Sequence, residues 1–253
     1  MAVELFQVDA FSAEPFQGNP AAVCLLEAEG DAEWMQAVAS ELRMAATAFL
    51  WGRRLRWFTA VAELEVCGHG TLATAHVLWE TEGLARAEFA TSAGTITTFR
   101  ERGAIFVELK AGSAVEVDAP DELRSLGAVS TWRTPLDLLV ELPSPDAVVE
   151  LAPDEATLAR LDTRGVIVTA RGGENGVDFT SRFFAPRLGL PEDSVTGSAH
   201  ATLAPFWAKR LGKNELCARQ ASARGGFLTL RVDGPTVAVG GPAVTVTRGQ
   251  LLA

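Results

Sequence analysis

The stretch VCGHGTLATAH, Val66 to His76, decides how this chain is read. After an apolar run and before a helical one, Gly68-x-Gly70-x-x-Ala73 matches the loose form of the dinucleotide-binding fingerprint. That reading needs a βαβ crossover and an acidic residue about 20 positions on, at the end of the second strand. Glu88 has the spacing, but it opens the run AEFAT (87–91), and the sequence beyond it favours hairpins over another crossover helix. An NAD-type oxidoreductase therefore rests on the Gly68-x-Gly70-x-x-Ala73 spacing alone.

The same stretch also has an echo. Arg56-Trp57-Phe58-Thr59 returns 126 residues later as Arg182-Phe183-Phe184-Ala185, and His69-Gly70-Thr71-Leu72-Ala73 returns 131 residues later as His200-Ala201-Thr202-Leu203-Ala204. The order is kept, and each copy reads as an aromatic strand followed by a helix that glycine opens, Gly68 or Gly197. Two matches at nearly half the chain length point to an internal duplication. The second copy, Gly197-Ser198-Ala199-His200, lacks the second glycine of the nucleotide fingerprint. Both copies do offer first-turn backbone N–H groups with no helical partner. Two such helix entrances facing one cleft would hold a carboxylate, even in a protein of net charge -10.

Working outward, short β-like runs cover residues 3–11, 21–26, 47–51, 54–59, 87–91, 95–99 and 104–109, several joined by turns such as SAGT and ERGA. The spacing predicts a helix over 31–44, with Asp31 as N-cap and Trp34, Met35, Val38 and Leu42 on one face. A shorter helix is expected over 154–161. Four prolines and broken apolar runs between 111 and 146 place the crossover near residues 112–118. This divides a first half, 1–115, from a second half, 116–253, with about 241–253 as the stretch that can return to the first half.

A chain of 253 residues, 48% hydrophobic and 21% charged, has the composition of a globular protein. No Lys/Arg cluster outweighs the acidic balance, which works against a nucleic-acid or anionic-membrane partner. Glu4 and Asp9 stand where a secretory signal would be apolar, and no stretch approaches ~18 continuous apolar residues, so a cytoplasmic location is expected. Cys24, Cys67 and Cys217 form neither a disulfide framework nor a zinc motif, and Cys24 and Cys217 read as small buried hydrophobes. His69 and His76 lie about 10 Å apart along a helix, too far for one ion, so no metal is expected. The six tryptophans read as core.

GNPAAV (18–23), RWFT (56–59), CGHGTLA (67–73), SRFFAP (181–186) and PEDSVTGSAH (191–200) together resemble the phenazine-biosynthesis isomerase (PhzF-like) family, within the diaminopimelate epimerase and proline racemase superfamily. The resemblance runs from about residue 3 to residue 240. It implies an α/β (α+β) fold of two pseudo-symmetric halves, each wrapping mostly antiparallel strands around a central helix, with the active site between them. It also implies a homodimer and the transfer of a proton on a small, cyclic carboxylic acid without metal or organic cofactor. Superfamily racemases use two cysteines, and this chain has no second one in Asp193-Ser194-Val195-Thr196. The isomerase branch uses a Glu in a motif like S-E-T-A-F, assisted by the His of the first helix entrance and the Asp and Ser of the second.

Carried over by motif, His69, Asp193 and Ser198 are the proton-handling residues, and Asn19, Gly68, Gly70, Thr196 and Gly197 bind the substrate. The Glu is missing, because Ala45-Ala46-Thr47-Ala48-Phe49 puts Ala46 in its place. Losing a general base costs roughly two to four orders of magnitude in rate. The rival reading is therefore a catalytically impaired binding or regulatory homologue. Each residue also has a plain structural reading. Asp193 can be a turn or cap carboxylate, Ser198 a first-turn serine, Thr196 a helix cap, His69 a cleft-edge histidine and Gly18-Asn19-Pro20 a turn. Glu63 and Glu65 alternate with Leu64 and Val66 as the solvent face of a strand, leaving Glu65 a weak substitute base.

Overall fold

A computed structural model describes residues 2–252, with the side chain of Leu188 left out. The chain divides into two compact units, residues 1–108 with 240–253, and residues 109–239. Among the described residues no helix is long and apolar enough to cross a membrane.

In the first unit the strands are β1 (Ala2–Ala10), β2 (Asn19–Leu25), β3 (Ala46–Trp51), β4 (Arg54–Phe58), β5 (Glu63–Leu64), β6 (Arg86–Thr91), β7 (Gly94–Glu101) and β8 (Ala104–Lys110). The C-terminal strand Ala243–Leu252 returns to pair with β1. Most neighbours are antiparallel, and β2–β3, joined through α1 (Ala32–Leu42), is parallel. Asp31 caps α1 by accepting from the Glu33 and Trp34 amides, and Met35 and Val38 bury against Phe49 and Phe58 of the sheet. The SAGT and ERGA turns are two-residue hairpins, Thr91 facing Gly94 and Glu101 facing Ala104. Arg102 and Gly103 both take positive φ, the geometry that matches strand twist in so short a loop.

The other face of this sheet packs on α2 (Gly68–Glu82), which is buried from His69 to Leu78. Strand alternation explains the fit. Phe49 belongs to the cluster under α1, so Ala46, Ala48 and Leu50 face the opposite side, towards α2. Small side chains there, with Gly70 in the helix, let the two backbones approach closely. A Cβ at Gly70 would meet Trp57 Cδ1 at 2.8 Å and Cys67 Sγ at 3.0 Å.

The second unit repeats this plan with β9 (Val115–Val117), β10 (Ser130–Arg133), β11 (Asp137–Glu141), α3 (Pro145–Val149), α4 (Glu155–Leu158), β12 (Gly165–Arg171), β13 (Phe179–Ala185), β14 (Leu190–Asp193), α5 (Gly197–Leu211), β15 (Glu215–Gln220), β16 (Gly226–Asp233) and β17 (Thr236–Gly241). Strand β11 pairs parallel with β12, and β12 pairs antiparallel with β13, as β2, β3 and β4 do. Val166, Val168 and Ala170 face a core under α3 and α4. Thr169, on the opposite face, accepts a hydrogen bond from Trp207 Nε1 of α5 at 3.0 Å. The extra length before α5 holds a 3-10 turn, Pro186–Leu188. The helix expected over 154–161 is a single turn, capped by Asp154.

The repeat extends to side chains. Arg56 grips Glu63 through Nε (2.7 Å) and Nη2 (2.7 Å), and Arg182 grips Glu192 through the same atoms (2.7 and 2.9 Å). Each guanidinium lies over the phenylalanine two residues on, Phe58 or Phe184. Helix starts at 68 and 197 correct the pairing of histidines, however. Thr71, the fourth residue of α2, donates to Cys67 O at 2.6 Å, and His200, the fourth of α5, bonds Thr196 O at 2.9 Å. His200 is therefore the counterpart of Thr71, and His69 is the counterpart of Ser198.

Three further expectations change. Alternation in β15 turns Leu216, Ala218 and Gln220 inward and leaves Cys217 exposed. Trp57 and Trp207 are core, but Trp79 is 37% exposed and carries the Arg100 guanidinium 4.0 Å above its ring. Strand β5 is two residues long, so Glu65 lies beyond it, exposed.

Candidate functional site

In the first unit the sequence-derived residues gather at one end of the sheet. Asn19 opens β2, Ala46 opens β3 beside Ala21, and β4 ends at that level because Thr47 faces Phe58. Helix α2 enters here, with Gly70 against Trp57, and leaves at the far end among Leu25 and Leu50. Asn19, Cys67 and His69 are buried, and Gly68 is half-buried. Gly18 takes φ +66, and a Cβ there would lie 2.1 Å from Ala10 O, so only glycine closes the turn that presents Asn19.

The group that motif reading passed over is Cys67. It is the residue before α2, and its side chain makes no cap. Its Sγ lies 3.6 Å from His69 Nδ1 and 3.9 Å from Nε2, with the two residues 4% and 8% exposed. A thiol and an imidazole in contact at a helix N-terminus form an acid–base couple beside backbone N–H groups that attract an anion. Ala46, on the α2-facing side, adds only a methyl group and is fully buried. At Cys24 burial alone pushes the thiol up to about 12. His76 pairs with Glu80, 3.3 Å away on its own helix, and burial lowers its pKa.

In the second unit Asp193, Thr196, Gly197 and Ser198 lie together at the entrance of α5. Asp193 is 7% exposed, and its Oδ2 accepts from Thr196 Oγ1 at 2.6 Å. Thr196 occupies the N-cap position without capping, because its hydroxyl is turned to Asp193. The loop is clamped by Gln220, fully buried, whose Oε1 accepts from the Thr196 amide at 2.8 Å and whose Nε2 donates to Asp193 O at 2.7 Å. Ser222 Oγ adds a bond to Ser194 O at 2.7 Å. Ser198 Oγ accepts from Arg164 Nη2 at 3.2 Å, and Arg164 is itself forked onto buried Asp137. Since the guanidinium can only donate, the Ser198 hydroxyl proton is left to point elsewhere. Single-sequence reading found none of Gln220, Asp137 or Arg164, each a polar residue 24 or more positions from its partner.

Beneath this loop His200 is fully buried. Thr196 O only accepts, so Nδ1 carries the proton, and Nε2 faces Ser181 Oγ at 3.2 Å. Burial holds this imidazole down to about 4, partly opposed by the Thr196 carbonyl.

Residues 8–249 match the family model of phenazine biosynthesis-like proteins. An uncharacterized isomerase of Pseudomonas aeruginosa is 46% identical over 262 residues, covering 99% of each chain. The crystal structure of a PhzF-family phenazine biosynthesis protein from Enterococcus faecalis superposes with a TM-score of 0.94 at 37% identity, covering 100% of both chains. A hydroxyproline epimerase from Agrobacterium vitis shares the fold at a TM-score of 0.66 and 12% identity, over 99% of this chain and 92% of that one.

Proposed function

Because the chain belongs to the phenazine biosynthesis-like family of isomerases, we propose that it moves a proton on a small cyclic carboxylic acid without a cofactor, using the Cys67–His69 couple where the family motif has a Glu. The observation that carries this is the 3.6 Å approach of Cys67 Sγ to His69 Nδ1 at the mouth of α2. The couple takes a proton from the carbon next to the carboxylate, and the charge that develops is met by the amides of Gly68, His69 and Gly70. The proton returns at another carbon of the same acid, so no atom or electron is gained or lost. Asp193 and Ser198 are the second proton-handling set, held in place by Thr196, Gln220 and Arg164. A cytoplasmic homodimer belongs to the same reading.

The methyl group of Ala46 favours one rival, a binding homologue that has lost its shuttle. The nucleotide reading has lost its motive, since the glycine at 70 is accounted for by Trp57 and Cys67 packed against it. The test is carbon-bound deuterium, followed by NMR in deuterated water with cyclic unsaturated carboxylic acids, for the native chain, Cys67→Ser and Ala46→Glu. Incorporation by the native chain that falls roughly a hundredfold or more in Cys67→Ser supports the proposal. Incorporation by Ala46→Glu alone supports the rival, and native incorporation that Cys67→Ser leaves intact removes Cys67 from the mechanism.

A further inference from the structure

Beside the second helix entrance, which Arg164 reaches through Ser198, a pocket of about 490 Å³ is lined by Arg133, Arg164 and Arg187, with Thr134, Leu136 and Asp162. Three guanidiniums on one small basin stand out in a chain of net charge -10. Their own partners leave them underused. Arg164 spends Nε and Nη2 on Asp137 and Ser198, and its Nη1 donates to no group among the described residues. Arg187 uses Nη1 on Leu161 O and on Asp162, whose carboxylate is fully exposed to solvent screening. Arg133, exposed at the end of β10, has no ion pair among the described residues.

The floor of the basin is already rigid. Thr134 Oγ1 accepts from the Asp137 amide at 2.7 Å and donates to Asp137 O at 3.0 Å, closing the turn between β10 and β11. Leu136 O accepts from the Arg164 amide at 2.9 Å and from Thr163 Oγ1 at 3.1 Å, which staples that turn to the start of β12. A guanidinium donates in a planar fork that matches carboxylate or phosphate oxygens, so three of them lining one basin, with Arg164 fixed by its fork to Asp137, suit a compact anion of more than one charge. The volume lies within the range of small-molecule sites.

We propose that this basin is a second binding site, taking a compact multiply charged anion, a phosphoryl or polycarboxylate group, and communicating with Ser198 through Arg164. It stands independently of the proton-transfer reading, because binding is measured without turnover. The native chain is titrated at low ionic strength with inorganic phosphate and, separately, with citrate, by calorimetry and by amide NMR. The expected result is saturable millimolar or tighter binding of at least one probe, with shifts at Arg164, Gly197 and Ser198. Affinity should fall about tenfold for Arg133→Ala and again for Arg187→Ala, while both variants keep the native fold by circular dichroism. Phosphate binding alone marks a phosphorylated ligand, and citrate binding alone a polycarboxylate. Failure of both probes to saturate, or undiminished binding in the folded double variant, overturns the proposal.

Discussion

Acid should loosen this protein through the imidazole of His200. His200 is fully buried, its Nδ1–H is committed to Thr196 O, and no carboxylate stands within bonding distance of its ring among the described residues. Its pKa falls from the ordinary 6.5 to about 4 because burial penalises the charged form. The unfolded chain therefore binds a proton through the window from 6.5 down to about 4 that the native chain refuses. Stability from this group is fully present above 6.5 and is lost as pH falls through that window. At about 1.36 kcal/mol per pH unit, the complete loss is on the order of 3 kcal/mol, of which roughly 2 to 3 kcal/mol is gone by pH 4.5. Urea unfolding at pH 7 and pH 4.5 measures it, alongside His200→Gln, which keeps much of the volume and does not titrate. The native protein should lose about 2 kcal/mol more than the variant between the two pH values. Equal losses would refute the assignment, since other titrating groups are common to both chains.

Three further outcomes follow from the packing. Gly70→Ala would drive a Cβ to 2.8 Å from Trp57 and 3.0 Å from Cys67 Sγ, and should cost about 1–3 kcal/mol in urea unfolding while depressing any deuterium exchange. Asp137→Ala strands the Arg164 guanidinium, which is 28% exposed; a fully buried pair broken in this way costs 3–5 kcal/mol, and access to water lowers the expectation to about 2 kcal/mol in the same assay. Asp31→Ala removes the cap of α1 and should cost about 1 kcal/mol, seen as a lower urea midpoint with an unchanged slope.

How far the sequence could be read depended on the range of the interactions. Local chemistry was plain: Asp31 at a helix start, Arg102-Gly103 in a hairpin, Gly68 and Gly197 opening helices. Family likeness, the paired halves and the α/β class followed from motifs of this kind. Side-chain partners across the fold were not legible, because nothing in one sequence ties Gln220 to Thr196 or Arg164 to Ser198. The Thr196 cap failed for a related reason, since a carboxylate three residues back outcompeted the helix for its hydroxyl. Residue type pairs His200 with His69, whereas its hydrogen bond gives it the place of Thr71. In the sequence Cys67 reads as the surviving half of a two-thiol pair whose second cysteine is absent, and nothing there shows that its thiol reaches His69.

The twin forks Arg56–Glu63 and Arg182–Glu192 make the molecule its own control experiment. Donor and acceptor atoms within each fork and the phenylalanine beneath are the same, while side-chain exposure differs, 24% and 39% in one, 12% and 23% in the other, and Arg182 Nη1 adds bonds to the carbonyls of Val148, Val149 and Leu151. Coupling energies from two double-mutant cycles in this single polypeptide would compare one fork geometry in two settings, the wetter pair and the pair that backbone carbonyls also hold.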